Sequence, residues 1–186
     1  MRLPIRKYGD AILRAKGRRI EAVDDDIRAL AENMLETMHA ANGVGLAAQQ
    51  VGYALQLTVL DVSQVEDRPS MMKINGEPVA DLAMAMPLVL VNPTLRLGEE
   101  TDLGSEGCLS FPEITADIER AASVELEAET LEGDKVLIEA SGLLSRALQH
   151  EVDHLNGILF IDRMSSASKT SHSSRLKRLR TETERL

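Results

Sequence analysis

At 186 residues and 20.4 kDa, 44% hydrophobic and 27% charged, the chain has the size and composition of one soluble globular domain with a real core. Four aromatic side chains and no tryptophan argue against base-stacking recognition of single strands. No apolar run approaches the ~20 residues of a membrane span, and the start Met1–Tyr8 lacks the apolar stretch of a secretory signal, so a reducing cytoplasm is the expectation. The single cysteine, Cys108, excludes an intrachain disulfide framework.

In chain order, Asp24-Asp25-Asp26 opens a helix in which Ile27, Leu30, Ala31, Met34, Leu35 and Met38 recur at helical spacing, and Asn42-Gly43 stops it. Gln56–Val62 and Leu88–Val91 read as strands, the second closed by Asn92-Pro93. The insertion between them, residues 63–87, has Asn75-Gly76 as a hairpin tip and four methionines (Met71, Met72, Met84, Met86) expected to pack locally. Alternation predicts strands over Ser123–Thr130 and Lys135–Glu139, turning at Glu132-Gly133-Asp134. A second helix starts near Ser141, runs to Leu155 and ends at Asn156-Gly157. Ser165–Ser174 reads as a linker, followed by a short amphipathic piece around Leu176 and Leu179. Short strands interleaved with a few helices, without βαβ alternation, give an α+β class: antiparallel and mixed strands around a central helix. The expected division is a catalytic domain over 1–163 and a Ser-rich linker with a basic tail over 164–186.

Charge follows the same division. Residues 164–186 carry six basic and two acidic side chains, so the net −9 of the chain leaves −13 for residues 1–163. An acidic body with a basic tail can meet a polyanion such as RNA with one end only.

The second helix contains His150-Glu151-Val152-Asp153-His154. Histidines four apart share a helix face and can reach one ion, and the glutamate between them can take a proton from water bound to that ion. A catalytic site normally has three protein ligands. The position six residues after His154 is Phe160, no acid lies between Asp162 and Glu182, His39 is on another helix and His172 is in the linker. By elimination the third ligand is Cys108, in Glu106-Gly107-Cys108-Leu109-Ser110. A third segment, Gly43-Val44-Gly45-Leu46-Ala47-Ala48-Gln49-Gln50, has small residues that let a backbone approach closely, and Gln49 or Gln50 could donate an amide N–H to an oxyanion.

These three segments, in this order, resemble the three signature motifs of the peptide deformylases of bacterial type. The resemblance implies hydrolytic removal of the N-formyl group from the N-terminal formylmethionine of nascent polypeptides, with release of formate, as part of protein biosynthesis. It implies Cys108, His150 and His154 as metal ligands, with Fe²⁺ as the ion and Ni²⁺, Co²⁺ or Zn²⁺ able to replace it. Glu151 would be the general acid/base, while the amide of Gln50 (rather than Gln49) and the backbone N–H of Leu109 would stabilise the oxyanion. Gly45 would pair with the peptide backbone, and Val44, Leu143 and Ala147 would wall the methionine pocket. Arg146 would stand at the pocket rim, and Glu106 would meet Arg120 in a structural ion pair behind the metal loop. The basic tail would dock on the ribosome. Two rivals are a peptidase sharing HExxH but needing a downstream acid ligand, and a non-catalytic RNA- or ribosome-binding factor.

Overall fold

A computed structural model describes residues 1–186. The chain begins as an extended segment with a 3-10 turn at Ala11–Arg14, then forms α1 (Asp25–Ala40), in which Asp24 accepts from Ile27 N. The strands β1 (Gly45–Ala47) and β2 (Leu57–Leu60) flank a 3-10 turn at Ala48–Val51. The insertion supplies β3 (Ser70–Ile74), β4 (Glu77–Pro78) and the short α2 (Leu82–Ala85). There follow β5 (Leu88–Leu97), β6 (Thr101–Cys108), β7 (Phe111–Ala121), β8 (Ser123–Glu129) and β9 (Lys135–Gly142). Then come α3 (Leu143–Leu155), a 3-10 turn at Phe160–Arg163, and α4 (Ser166–Glu184).

Seven strands form one sheet in the order β1-β2-β5-β8-β9-β3-β4, and β6-β7 form a separate two-stranded ribbon. Every ladder is antiparallel; the one parallel contact is an isolated bridge between Arg18 and Leu55. The mixed pairing expected beside antiparallel strands is therefore absent from the sheets. Strands adjacent in sequence turn back on each other, the non-consecutive pairs β2–β5, β5–β8 and β3–β9 also run antiparallel, and no helix crosses over between parallel strands.

α3 packs against the sheet through Leu143, Leu144, Ala147 and Leu148, which join Leu60, Leu90, Leu126 and Ile138 in one buried cluster. On its other side α1 closes a second cluster over β1 and β2 through Leu30, Met34 and Met38. A third cluster gathers Leu13, Phe111, Ile118 and Phe160, with Tyr8, Leu176 and Leu179 against it. Tyr8 stacks on Phe111 at 5.0 Å between ring centroids, and Phe111 meets Phe160 edge-on at 5.0 Å.

Four local expectations change. β5 does not stop at Asn92-Pro93 but continues to Leu97 through a bulge, with Asn92 at φ 51°. The Asn92 amide replaces the lost ladder bonds, accepting from Ile20 N and donating to Ile20 O and Glu129. The β6–β7 ribbon was not anticipated. The serine-rich stretch is the first half of α4, because Ser165 caps Ser168 N and the hydroxyls of Thr170, Ser171 and Ser173 bond carbonyls three or four residues back. The Asn75-Gly76 hairpin tip is present between β3 and β4, but of the insertion's methionines only Met72 is in the core, with Met71 and Met84 exposed.

Candidate metal centre and active site

The HExxH helix is unusually enclosed: every residue of α3 except Val152 is buried. Its first turn is anchored by the insertion, where Leu143 N donates to Pro69 O at 3.2 Å and Leu144 N to Ser70 Oγ at 2.9 Å. Gly142, at φ 70°, makes that approach possible, since a Cβ there would stand 2.1 Å from Pro69 O. Two otherwise unsatisfied helix N–H groups are thereby capped.

On the inner face, one ligand atom each from Cys108, His150 and His154 lie within 4.8 Å of one another. Cys108 is the last residue of β6, at the turn of the ribbon, and its Sγ is 3.3 Å from His154 Nε2. The imidazoles of His150 and His154 are 4.9 Å apart between centroids. His150 Nδ1 bonds Glu106 Oε1 at 2.9 Å, which fixes the ring and leaves Nε2 for the centre. Burial alone would lower the pKa of both rings. At His150 the hydrogen bonds of Cys108 and Glu106 override it and raise the value, whereas burial and the charge of His150 leave His154 well below the usual range. A cysteine sulfur and two imidazoles, with no acid among them, have the number and chemistry of ligands that fit a divalent transition metal. The rival peptidase reading needs an acid ligand that this group lacks. His39 and His172 lie apart, bonded to Asp61 and to Ser168 O.

Glu106 is the hub of the supporting shell. It accepts from Arg120 Nε (2.8 Å) and Nη2 (2.9 Å), Arg146 Nη1 (3.0 Å) and His150. Burial works to raise its pKa, but the hydrogen bonds and charges of Arg120 and His150 outweigh it and bring the carboxyl down to about 2. Arg120 continues the chain to Asp153 at 2.6 Å, which Arg163 also holds. The expected Glu106–Arg120 pair is thus formed, and it is buried: both side chains are 5% exposed or less. Arg146 is also corrected from its expected place at the rim. Its guanidinium is buried and taken up by Asp102 (2.6 Å), Glu106 and Ile118 O (2.6 Å).

A cleft of about 320 Å³ opens onto Cys108 and His150, walled by Val44, Gly45, Gln50, Leu109, Leu143, Ala147 and Glu151 among others. Burial raises the Glu151 carboxyl to about 7. Its Oε2 is 3.5 Å from Thr58 Oγ1, and a Cβ at Gly45 would stand 2.5 Å from Oε1, so only glycine leaves the carboxylate its place. Gln50 accepts from Ala47 N at 2.9 Å, which turns its amide N–H₂ towards Ser110 Oγ (3.1 Å) and Cys108 Sγ (3.5 Å). Gln49 faces away, donating to Ala15 O and Leu155 O. Leu109 follows Cys108 at the ribbon's turn, with its carbonyl held by Lys7 Nζ at 2.9 Å. Several wall residues escaped the sequence reading, among them Arg68, Glu113, Ile114 and Thr115. Arg68 carries no motif signal, and only the path of the insertion brings it to the cleft.

The family model described as polypeptide deformylase matches residues 2–170. The chain belongs to that family. A peptide deformylase of Methylacidiphilum infernorum is 45% identical over 173 residues, 93% of this chain and 90% of the relative. One of Acinetobacter baumannii is 40% identical over 184 residues, covering 98% and 94%. Among solved structures, a peptide deformylase of Arabidopsis thaliana superposes with a TM-score of 0.84 at 36% identity, covering 98% of this chain and 93% of that one. That of Thermus thermophilus gives 0.81 at 35% identity, covering 98% and 99%. The α+β architecture is therefore that of a polypeptide deformylase, and the protein is a metal-dependent hydrolase that removes the N-formyl group from nascent polypeptides.

Proposed function

We propose that this cleft performs the deformylase reaction on peptides beginning with formylmethionine, with Cys108, His150 and His154 holding one Fe²⁺ that Ni²⁺, Co²⁺ or Zn²⁺ can replace. The observation that carries the reading is the meeting of Cys108, His150, Glu151 and Gln50 at one cleft, with the His154 ligand atom within 4.8 Å of those of Cys108 and His150. When bound, the ion supplies Lewis-acid activation of water and of the formyl oxygen. Glu151 takes the proton released by the attacking water and returns it to the leaving amine, a role suited to a carboxyl raised towards neutrality. The Gln50 amide and the Leu109 N–H donate to the oxyanion as the carbonyl becomes tetrahedral. Ala47 N fixes the Gln50 side chain through its oxygen, so the amide N–H₂ stays turned towards Cys108 and has only to exchange its bond to Ser110 Oγ or Cys108 Sγ for the oxyanion.

β1 is an edge strand of the main sheet, so Gly45 has a free edge to which an extended peptide backbone can add. Val44, Leu143 and Ala147 offer an apolar pocket to the methionine side chain. Residues 1–163 form the catalytic unit in this reading. Residues 164–186 form a basic appendage whose exposed Lys169, Arg175, Lys177 and Arg178 suit contact with ribosomal RNA. A cytoplasmic location goes with that substrate, and no helix is long and apolar enough to cross a membrane.

The test is formate release from formyl-Met-Ala-Ser by anaerobically prepared, metal-loaded protein beside Glu151→Ala. Loss of general acid/base catalysis lowers kcat by about 10²–10⁴-fold while bound metal is retained. Equal rates in the two proteins would remove Glu151 from the mechanism.

A further inference from the structure

We propose that Arg68 determines specificity in the peptide-binding cleft, favouring nascent chains whose second or third residue carries a carboxylate; this rests on the deformylase reading above. Arg68 lines the same cleft as Cys108, His150 and Glu151, is half-buried, and makes no hydrogen bond or ion pair. Arg146, the other arginine of that cleft, is consumed by Asp102 and Glu106. Arg68 is therefore the one cation there with its charge unspent. A half-buried guanidinium in a cleft gives up part of its hydration without an internal partner, and an anion arriving with the ligand compensates it.

Its backbone is held in place. Pro69 O accepts from Leu143 N, Ser70 Oγ accepts from Leu144 N, and Ser70 pairs with Gly142 in the β3–β9 ladder. Arg68 thus projects from a clamped segment at the start of α3, where the helix dipole adds positive potential of the same sign. Leu143 precedes His150 by seven residues, about 10 Å along the helix axis. An extended peptide covers that distance in about three residues. With the formyl group at the ligand atoms, the second or third side chain falls within reach of the long arginine arm. The negative groups of the cleft do not cancel this field, because Glu106 is neutralised by two arginines, Glu151 belongs to the reacting centre, and Glu113 is exposed on β7.

The test compares kcat/KM for C-terminally amidated formyl-Met-Glu-Ala, formyl-Met-Ala-Glu and their lysine counterparts, with formyl-Met-Ala-Ser as the neutral reference. The proteins are the metal-loaded wild type, Arg68→Gln, Arg68→Glu and Arg68→Lys. The wild type is expected to prefer glutamate over lysine at one of the two positions by about fivefold, in KM rather than kcat. That preference shrinks when ionic strength rises from about 0.01 M to about 0.3 M, as a partly solvated charge pair requires. Arg68→Gln abolishes it, Arg68→Glu inverts it and Arg68→Lys retains it. A glutamate/lysine ratio that is the same in the wild type and Arg68→Glu overturns the proposal. Failure of the wild type to deformylate the neutral peptide would instead overturn the deformylase reading, and the proposal with it.

Discussion

At the scale of single residues, Glu106 decides more than its own charge. Its carboxylate receives two buried arginines and the ring of a metal ligand at once. Removing one partner of a buried pair strands the others in low dielectric, which costs about 3–5 kcal/mol. Because Arg120 keeps Asp153 and Arg146 keeps Asp102, Glu106→Ala is expected near the lower end, about 3 kcal/mol by urea titration. It should also weaken metal binding about 10–100-fold, since His150 loses the group that orients it. Arg163→Ala is the contrast: its side chain is 45% exposed, and the loss should stay under about 1 kcal/mol. A Glu106→Ala protein as stable as the wild type would mean that the arginines find other partners. The meeting of Cys108 with His150 and His154 was legible in the sequence, because histidine spacing on a helix is fixed by geometry and elimination left one cysteine. Arg68 was not, since nothing in Asp67-Arg68-Pro69 reports that the following strand pins it to the start of α3.

At the scale of elements, the segments that position the site are tied together by polar clips rather than by long strands. Arg14, in the first 3-10 turn, grips Asp162, in the last one, with bonds of 2.6 and 3.1 Å, and Leu159 N donates to the same carboxylate at 3.0 Å. Burial works to raise the Asp162 pKa, but these hydrogen bonds prevail and lower it. A carboxyl depressed in the folded state stabilises fully above its unfolded pKa of about 3.9, and that contribution is lost as pH falls through the lower folded value. Asp162→Asn should therefore lower the urea midpoint at pH 6, with the gap to wild type closing below about pH 4. A gap that stays constant down to pH 3 would show that the clip acts through shape and not charge. The β6–β7 ribbon escaped sequence reading for a related reason. In β6, Leu103 faces solvent and Glu106 faces inward, and in β7 Arg120 occupies an inward position. In β6 the internal ion network thus removes the apolar alternation by which a strand is recognised, whereas β7 keeps it through Ile114, Ala116 and Ile118.

At the scale of the whole molecule, the acidic body and the basic helix are joined by little apolar contact. α4 buries no residue completely and rests on the Phe111–Phe160 cluster through Leu176 and Leu179. A helix whose few apolar residues, Leu176 and Leu179, face the domain has its charged face free. Arg175 and Arg178 are exposed and make no ion pair, whereas Arg180 is bonded to Glu184 at 2.8 Å. If this face meets ribosomal RNA, each cation that neutralises a phosphate releases a counterion, and affinity falls steeply with salt. Arg175→Glu/Arg178→Glu in the full chain should therefore lower co-sedimentation with ribosomes about tenfold or more at ~0.1 M salt. Formate release from a free peptide should change by less than about twofold, because the substituted residues are absent from the catalytic cleft. Wild-type binding that is indifferent to salt, or undiminished in the double variant, would leave α4 only the task of covering Phe111 and Phe160.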